Sequence, residues 1–244
     1  MKVVFATGIF PPDIGGPATS VSALAEAWSA QGVRVAVVTY SEQASEDAGL
    51  GYDLVRIARA ASPWRRYLSF FRAVWMASDE PGPLFAQDAI ASGLPALCVA
   101  LLRGRKFILR IAGDFAWEQA QVKYGYGESL ETFQRDSKVP LVPTLLRAVQ
   151  RFVYRRADVV IAPSRYLAGI VLGWGVSSSR IRVINNGVHL PETVADRGKF
   201  SRRIIAAGRL VPWKHFDVLL KAMPRVLERF PDAELCIAGD GPEM

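Results

Sequence analysis

The sequence is short of cysteine, of long apolar runs and of one common glycine pattern, and each shortage excludes something. Only two cysteines occur in 244 residues. Both, Cys98 and Cys236, sit in apolar surroundings and read as buried thiols rather than as a disulfide, which fits a reducing compartment. The longest apolar stretch, 89–102, is interrupted by Ser92, Gly93 and Pro95. It falls short of the roughly 20 residues that a membrane-spanning helix needs. The opening "MKVVFATGIFPPD" has one lysine and a brief apolar run before its turn formers, too short for the apolar core of a secretory signal. The expectation is a cytoplasmic protein. No G-x-G-x-x-G follows the first apolar run, and the second ends "TYSE" with Glu42 already past it. That excludes an ordinary dinucleotide-dependent oxidoreductase.

Half of the residues are hydrophobic and 22% are charged, so a sizeable core can form and global disorder is excluded. The net charge is +7, which favours polyanions, an anionic membrane surface or phosphorylated ligands without choosing among them. The arginines are scattered and no recognition motif accompanies them, so no nucleic-acid partner is expected.

Along the chain, apolar runs alternate with helical periods. "KVVFAT" (2–7) is the near-continuous run of a parallel strand buried on both faces. After a loop, Val21, Leu24, Ala25 and Trp28 recur at helical spacing over 20–32, with Gly32 as the stop. Strands follow at 33–40, 52–57, 82–87, 105–113, 158–164 and 179–187, and helices at 64–78, 89–104, 144–157 and 165–175, with a looser helical region over 115–138. This alternation predicts an α/β fold, a Rossmann-like doubly wound parallel sheet. The segment 185–200, rich in polar and turn residues, interrupts it, and "SRRIIAAGRL" starts a fresh β-α-β. The expected organisation is a first domain over 1–187, a linker over 188–201 and the truncated start of a second Rossmann-like domain over 202–244.

Three places carry residues suited to ligand chemistry. The loop "GIFPPDIGGPAT" sets Gly15 and Gly16 just ahead of a helix start, where unpaired N–H groups meet anions; a tight turn is the plainer reading. Open α/β sheets place ligands at the carboxyl ends of strands, which singles out Gln87 and Asp88 in "FAQD" and Asp114 in "IAGD". Either aspartate serves equally as a helix cap, although the aromatic and polar neighbours of Asp114 in "GDFAWE" suit a sugar. Lastly, "GRLVPWKH" places Arg209 and Lys214 around a strand-to-helix turn, with the glycine loop "GDGP", Gly239 and Gly241, after the next strand. Two cations there suit a diphosphate, the arginine forking two oxygens.

With "FPPDIGGPAT", "RIAGD", "VINNGV", "AAGRLVPWKHFDVLLKA" and "IAGDGPE" in this order, the chain resembles the family 4 glycosyltransferases of the GT-B architecture over nearly its whole length. The resemblance implies two facing Rossmann-like domains. The first holds the acceptor, the second holds a nucleotide-sugar donor, and transfer proceeds with retention of anomeric configuration in the cleft between. It implies no resident cofactor and no metal, in keeping with the absence of any Asp-x-Asp triplet. On the matching positions, Gly15, Gly16, Gly239 and Gly241 lie near the donor phosphates. Arg209 and Lys214 neutralise the leaving diphosphate, Asp114 acts near the transferred sugar, and Asn186 and Gly187 belong to a hinge motif. Asp13, Gln87 and Asp88 fall on the acceptor side. The family's glutamate pair would lie beyond Met244, so the chain alone is expected to turn over poorly.

The acceptor is expected to be a glycan or a lipid-linked one. Arg147, Arg151 and Arg155 recur at i, i+4, i+8 beside apolar residues, a stripe suited to peripheral contact with anionic lipid at the inner face of the membrane; a core-packed helix with a solvated arginine face is the plainer reading. The competing function is a non-catalytic fragment or paralogue that binds a sugar or a partner.

Overall fold

The computed structural model describes residues 1–41, 49–59, 62–187 and 202–244. The linker expected over 188–201 and the position of Glu42 lie outside them. The chain divides into two compact units, Met1–Gln119 with Glu128–Asn186 and Ala120–Gly127 with Gly187–Met244.

The first unit is built on a seven-stranded, all-parallel sheet. Its strands are β1 (Lys2–Thr7), β2 (Arg34–Tyr40), β3 (Asp53–Ile57), β4 (Leu84–Ala86), β5 (Phe107–Arg110), β6 (Val159–Ala162) and β7 (Ile181–Val183), in the order β3-β2-β1-β4-β5-β6-β7. β1 pairs with β2 from Lys2 opposite Arg34 to Thr7 opposite Thr39, and with β4 from Val4 opposite Leu84. The order reverses between β1 and β4, so the loops after these strands diverge and leave a crevice at their carboxyl ends.

The alternation within each strand feeds two cores. Val4, Ala6, Val38, Leu84, Leu109 and Val160 point to one face and Val3, Phe5, Val37 and Phe85 to the other. Helix α1 (Gly16–Ala30) covers the second face through Val21 and Ala25. The first face packs against α2 (Pro63–Ala77), α3 (Leu94–Arg103), α6 (Leu141–Arg156) and α7 (Arg165–Gly173), through Phe70, Leu97, Tyr154 and Trp174 among others. Burial on both faces is why these strands read as continuous apolar runs. Two short helices, α4 (Phe115–Tyr124) and α5 (Leu130–Arg135), fill the looser region. Gly125 in a left-handed conformation ends the first, and the Ser129 hydroxyl, accepting the Thr132 N–H, starts the second.

Several boundaries differ from expectation for a common reason. α1 begins at Gly16 and α6 at Leu141, each a few residues early, because Pro17 and Pro143 sit in first turns where no N–H partner is needed. A single π turn, Ala89–Gly93, precedes α3.

The second unit contains β8 (Arg203–Ala207), α8 (Phe216–Arg229) and β9 (Glu234–Ala238), a parallel β-α-β. Alternate residues of both strands are exposed. Both cysteines overturn the expectation of buried thiols: they are free and exposed. Cys98 lies on the outer side of α3, and Cys236 on an exposed alternate position of β9. Among the described residues, no helix is long and apolar enough to cross a membrane.

Candidate active site

Every candidate of the first unit lies on a loop at the carboxyl edge of its sheet, but most of their side chains turn inward. After β1 the Thr7 hydroxyl donates to the Ile9 carbonyl at 2.8 Å, and the loop runs to α1. Gly15 is extended, and a Cβ there would come within 2.7 Å of the Ile9 Cδ1; a Cβ on Gly16 would meet nothing within 4 Å. The start of α1 has no side-chain cap and no acid in its first turn, so its N–H groups remain available to an anion. Asp13, expected on the acceptor side, is ion-paired with Arg59 at 2.8 Å.

The side chains of Gln87 and Asp88, after β4, are engaged within the fold. Gln87 is 1% exposed; its Oε1 accepts from Arg110 at 3.3 Å, and its Nε2 has no partner among the described residues. Asp88 caps the π turn, accepting from the N–H groups of Ala91 and Ser92 and from the Ser92 hydroxyl. This satisfies donors that a helix start otherwise leaves open, which is the capping alternative for that residue.

Asp114 has the same kind of role. It is 2% exposed. One oxygen accepts the Trp117 N–H at 3.0 Å and caps α4, and the other accepts the Gln134 amide at 2.7 Å. Gln134 in turn accepts from the Trp174 indole at 2.6 Å and from Arg151 at 3.2 Å. Asp114 thus belongs to a polar chain that ties α4, α5, α6 and α7 together.

Two participants escaped the sequence reading. One is Gln134. The other is Arg110, the last residue of β5, 9% exposed. Its guanidinium donates to the Ser20 hydroxyl, the Gln87 amide oxygen and the Asn186 amide oxygen. It has no carboxylate partner among the described residues, and burial pushes its pKa down from the usual arginine range. An arginine closing a buried strand in "RIAGD" was the available signal.

The arginine stripe of α6 is used inward. Arg147 donates to the Phe133 and Asp136 carbonyls, Arg151 to the Gln134 carbonyl at 2.8 Å, and Arg155 to the Trp174 carbonyl. These guanidinium groups satisfy carbonyls at the ends of neighbouring helices, so the stripe is not a free basic surface. A cavity of about 470 Å³, lined by Lys2, Asp53, Arg72 and Met76 among others, lies beside α2 at the amino ends of the strands, away from these loops.

In the second unit the candidates stand at the carboxyl ends of β8 and β9. The two loops continue the ladder beyond the strands: Gly208 N–H donates to the Ala238 carbonyl and Leu210 N–H to the Asp240 carbonyl, both at 2.9 Å. A Cβ on Gly239 would lie 1.9 Å from the Gly208 oxygen, and one on Gly241 would lie 2.1 Å from the Leu210 oxygen. Only glycine fits either place. Arg209 and Lys214 are exposed on the loop from β8 to α8, and their side chains make no hydrogen bond or ion pair among the described residues. The acid in the first turn of α8, Asp217, is held by Lys221 at 2.8 Å. Two unmatched cations therefore flank a loop whose backbone is fixed, an arrangement suited to a doubly charged phosphate ligand.

The architecture, a switch-point sheet followed by a second parallel β-α-β with cations at its ligand end, is that of the GT-B glycosyltransferases. Residues 15–187 match the family model described as "Glycosyl transferase 4-like domain", and 195–244 match "Glycosyl transferases group 1". The chain belongs to the 4-like glycosyltransferase family. A comparison with curated proteins gives no match. Among solved structures, Anabaena Alr3699/HepE in complex with UDP and glucose superposes with a TM-score of 0.68 at 15% identity, over 99% of this chain and 61% of that one. The catalytic domain of starch synthase IV from Arabidopsis thaliana, bound to ADP and acarbose, gives 0.63 at 15% identity, over 98% and 68%. A putative UDP-N-acetylglucosamine 2-epimerase from Listeria monocytogenes gives 0.56 at 15% identity, over 97% and 62%. This chain thus spans about three fifths of the length of HepE.

Proposed function

We infer that the protein takes part in sugar transfer from a nucleotide-sugar to a glycan or lipid-linked acceptor, in the cytoplasm or at the inner face of its membrane, without a metal and with retention of configuration. In that reaction the bond from the anomeric carbon to the diphosphate breaks, an acceptor oxygen bonds to that carbon, and the acceptor's proton leaves. Negative charge grows on the departing diphosphate, and without a metal it falls to side-chain cations to stabilise it. The observation that carries this reading is the pair of unmatched cations, Arg209 and Lys214, beside the Gly239–Gly241 loop. Gly15 and Gly16, with the uncapped start of α1, supply a second place for phosphate oxygens. Titration with UDP, ADP and GDP, followed by calorimetry, tests it. Arg209→Ala and Lys214→Ala should each weaken the preferred diphosphate by roughly ten- to a hundredfold, the worth of one charge-assisted hydrogen bond. Wild-type affinity in both variants would end the proposal.

A second reading, a non-catalytic member that binds sugar or a partner, is favoured by the engagement of Asp13, Asp88 and Asp114 within the fold. Diphosphate binding with no transfer to any offered glycan or lipid-linked acceptor would select it.

A further inference from the structure

The layer of helices over one face of the first sheet has an unusual composition. α2, α3 and α6 pack on that face, with α3 against both of the others. Together they contain no aspartate or glutamate. Their outer sides nonetheless expose large apolar residues: Trp64 at 63%, Met76 at 75% and Leu102 at 69%, with Leu68, Leu101 and Leu145 also exposed. Most surface helices carry both signs of charge around such residues; here only one is present.

α2 shows the pattern most plainly. Trp64, Arg65, Leu68, Arg72 and Met76 recur along its exposed side at helical spacing. Arg65 lies over the Trp64 ring at 5.3 Å. Arg65 and Arg72 have no acidic partner among the described residues, unlike the α6 arginines, which are bound to carbonyls. Asp53 lines the cavity beside Arg72 and Met76 but is paired with Lys2, as Asp79 is, and Glu80 is paired with Arg34. Tryptophan, leucine and methionine beside unpaired arginines suit a bilayer interface, where the rings and methyls enter the headgroup layer and the guanidinium groups meet lipid phosphates. A protein partner complementary to this face would need an equally one-signed acidic surface. An anionic bilayer supplies one at any orientation about its normal.

We propose that the outer face of α2 and α3, anchored by Trp64, Leu68, Met76 and Leu102 and steered by Arg65 and Arg72, rests on an anionic phospholipid surface. The amino end of α2 follows β3 and so lies at the carboxyl edge of the sheet. Docking by this face holds that edge, with the loops after β1 and β4, beside the lipid headgroups. A lipid-linked acceptor would then arrive there by lateral diffusion. The face stands on its own observations and does not depend on the transfer reading.

The test is sedimentation of the chain with phosphatidylcholine vesicles, with and without phosphatidylglycerol, at low and high salt and with no donor present. Binding should require phosphatidylglycerol and weaken as salt screens it. Arg65→Gln/Arg72→Gln should lower the partition coefficient by roughly 25-fold, about fivefold per arginine. Trp64→Ser/Met76→Ser should lower it by at least about tenfold, with far-UV dichroism unchanged in both because all four side chains are exposed. Equal binding to both vesicles, no binding to either, or unaltered binding by the variants overturns the proposal. So does a lipid-free dimer that the Trp64→Ser/Met76→Ser variant loses, which would make the face a contact between copies. Nucleotide titration reads none of these quantities, so the two proposals fail separately.

Discussion

Asp114 separates a scaffold role from a chemical one, and the structure sets the size of the effect. Its carboxylate accepts two buried donors, the Trp117 N–H and the Gln134 amide. Asp114→Asn keeps an oxygen for Trp117 but turns an NH₂ toward the Gln134 NH₂. Rotating the Gln134 amide only moves the conflict, because its oxygen already serves Trp174 and Arg151, both donors. At least one part-buried donor is left unmet either way, at a cost of roughly 1–3 kcal/mol; Asp114→Ala removes the acceptor of both Trp117 and Gln134 and should cost about 3 kcal/mol. Gln134→Glu alone faces one buried carboxylate with another and should also destabilise. Combined, Asp114→Asn/Gln134→Glu restores a donor opposite an acceptor and leaves acceptors for Trp174 and Arg151. The pair should therefore recover at least about 1.5 kcal/mol relative to the sum of the singles. Urea unfolding followed by tryptophan emission, with the slope checked for constancy, measures all four corners of the cycle. Additivity to within about 0.5 kcal/mol would refute the reasoning. A normal midpoint for Asp114→Asn together with lost sugar transfer would place the carboxylate in the chemistry instead.

The glycines of the second unit should be intolerant of even one methyl group. Gly239→Ala and Gly241→Ala each drive a Cβ into a backbone oxygen, so each should cost about 2 kcal/mol or more and abolish nucleotide diphosphate binding, as calorimetry would register. Normal binding by either alanine variant would contradict the loop pairing. In the first unit, the Tyr166 hydroxyl donates to Glu131 at 2.6 Å, and this bond holds the carboxyl below its ordinary range. The stabilisation it contributes is present above the unfolded pKa and is lost as pH falls through the folded one. Tyr166→Phe should raise the Glu131 pKa toward the usual value in a carbon-detected NMR titration; an unmoved pKa would dismiss the bond.

The sheet was legible in the sequence because parallel strands covered on both faces must be apolar at every position, and "KVVFAT" or "VAVV" admits little else. The break expected before the second β-α-β rests on composition alone, since 188–201 lie outside the described residues. Helix starts were harder. Pro17 and Pro143 look like interruptions in a linear reading, whereas the first turn of a helix accepts proline without losing a bond. Periodicity placed Arg147, Arg151 and Arg155 on one side of α6 but could not tell what that side meets, which turned out to be carbonyls. Asp88 and Asp114 were found as strand-end residues, yet whether such an aspartate faces a ligand or the next helix depends on a rotamer. Arg110 was out of reach for a different reason. Its partners Ser20, Gln87 and Asn186 come from three distant segments, and only the closed sheet assembles them.

That assembly has a consequence of its own. A guanidinium remains a cation throughout the range in which a protein stays folded, and the acceptors around Arg110 are a hydroxyl and two amides, which cannot cancel it. Mobile ions reach a group so enclosed only weakly. The carboxyl edge of the first sheet therefore holds one enclosed positive charge that neither acidification nor added electrolyte switches off. The arginines of α2, open to solvent, behave in the opposite way. One molecule thus holds two attractions for anions, one adjustable by its surroundings and one permanent.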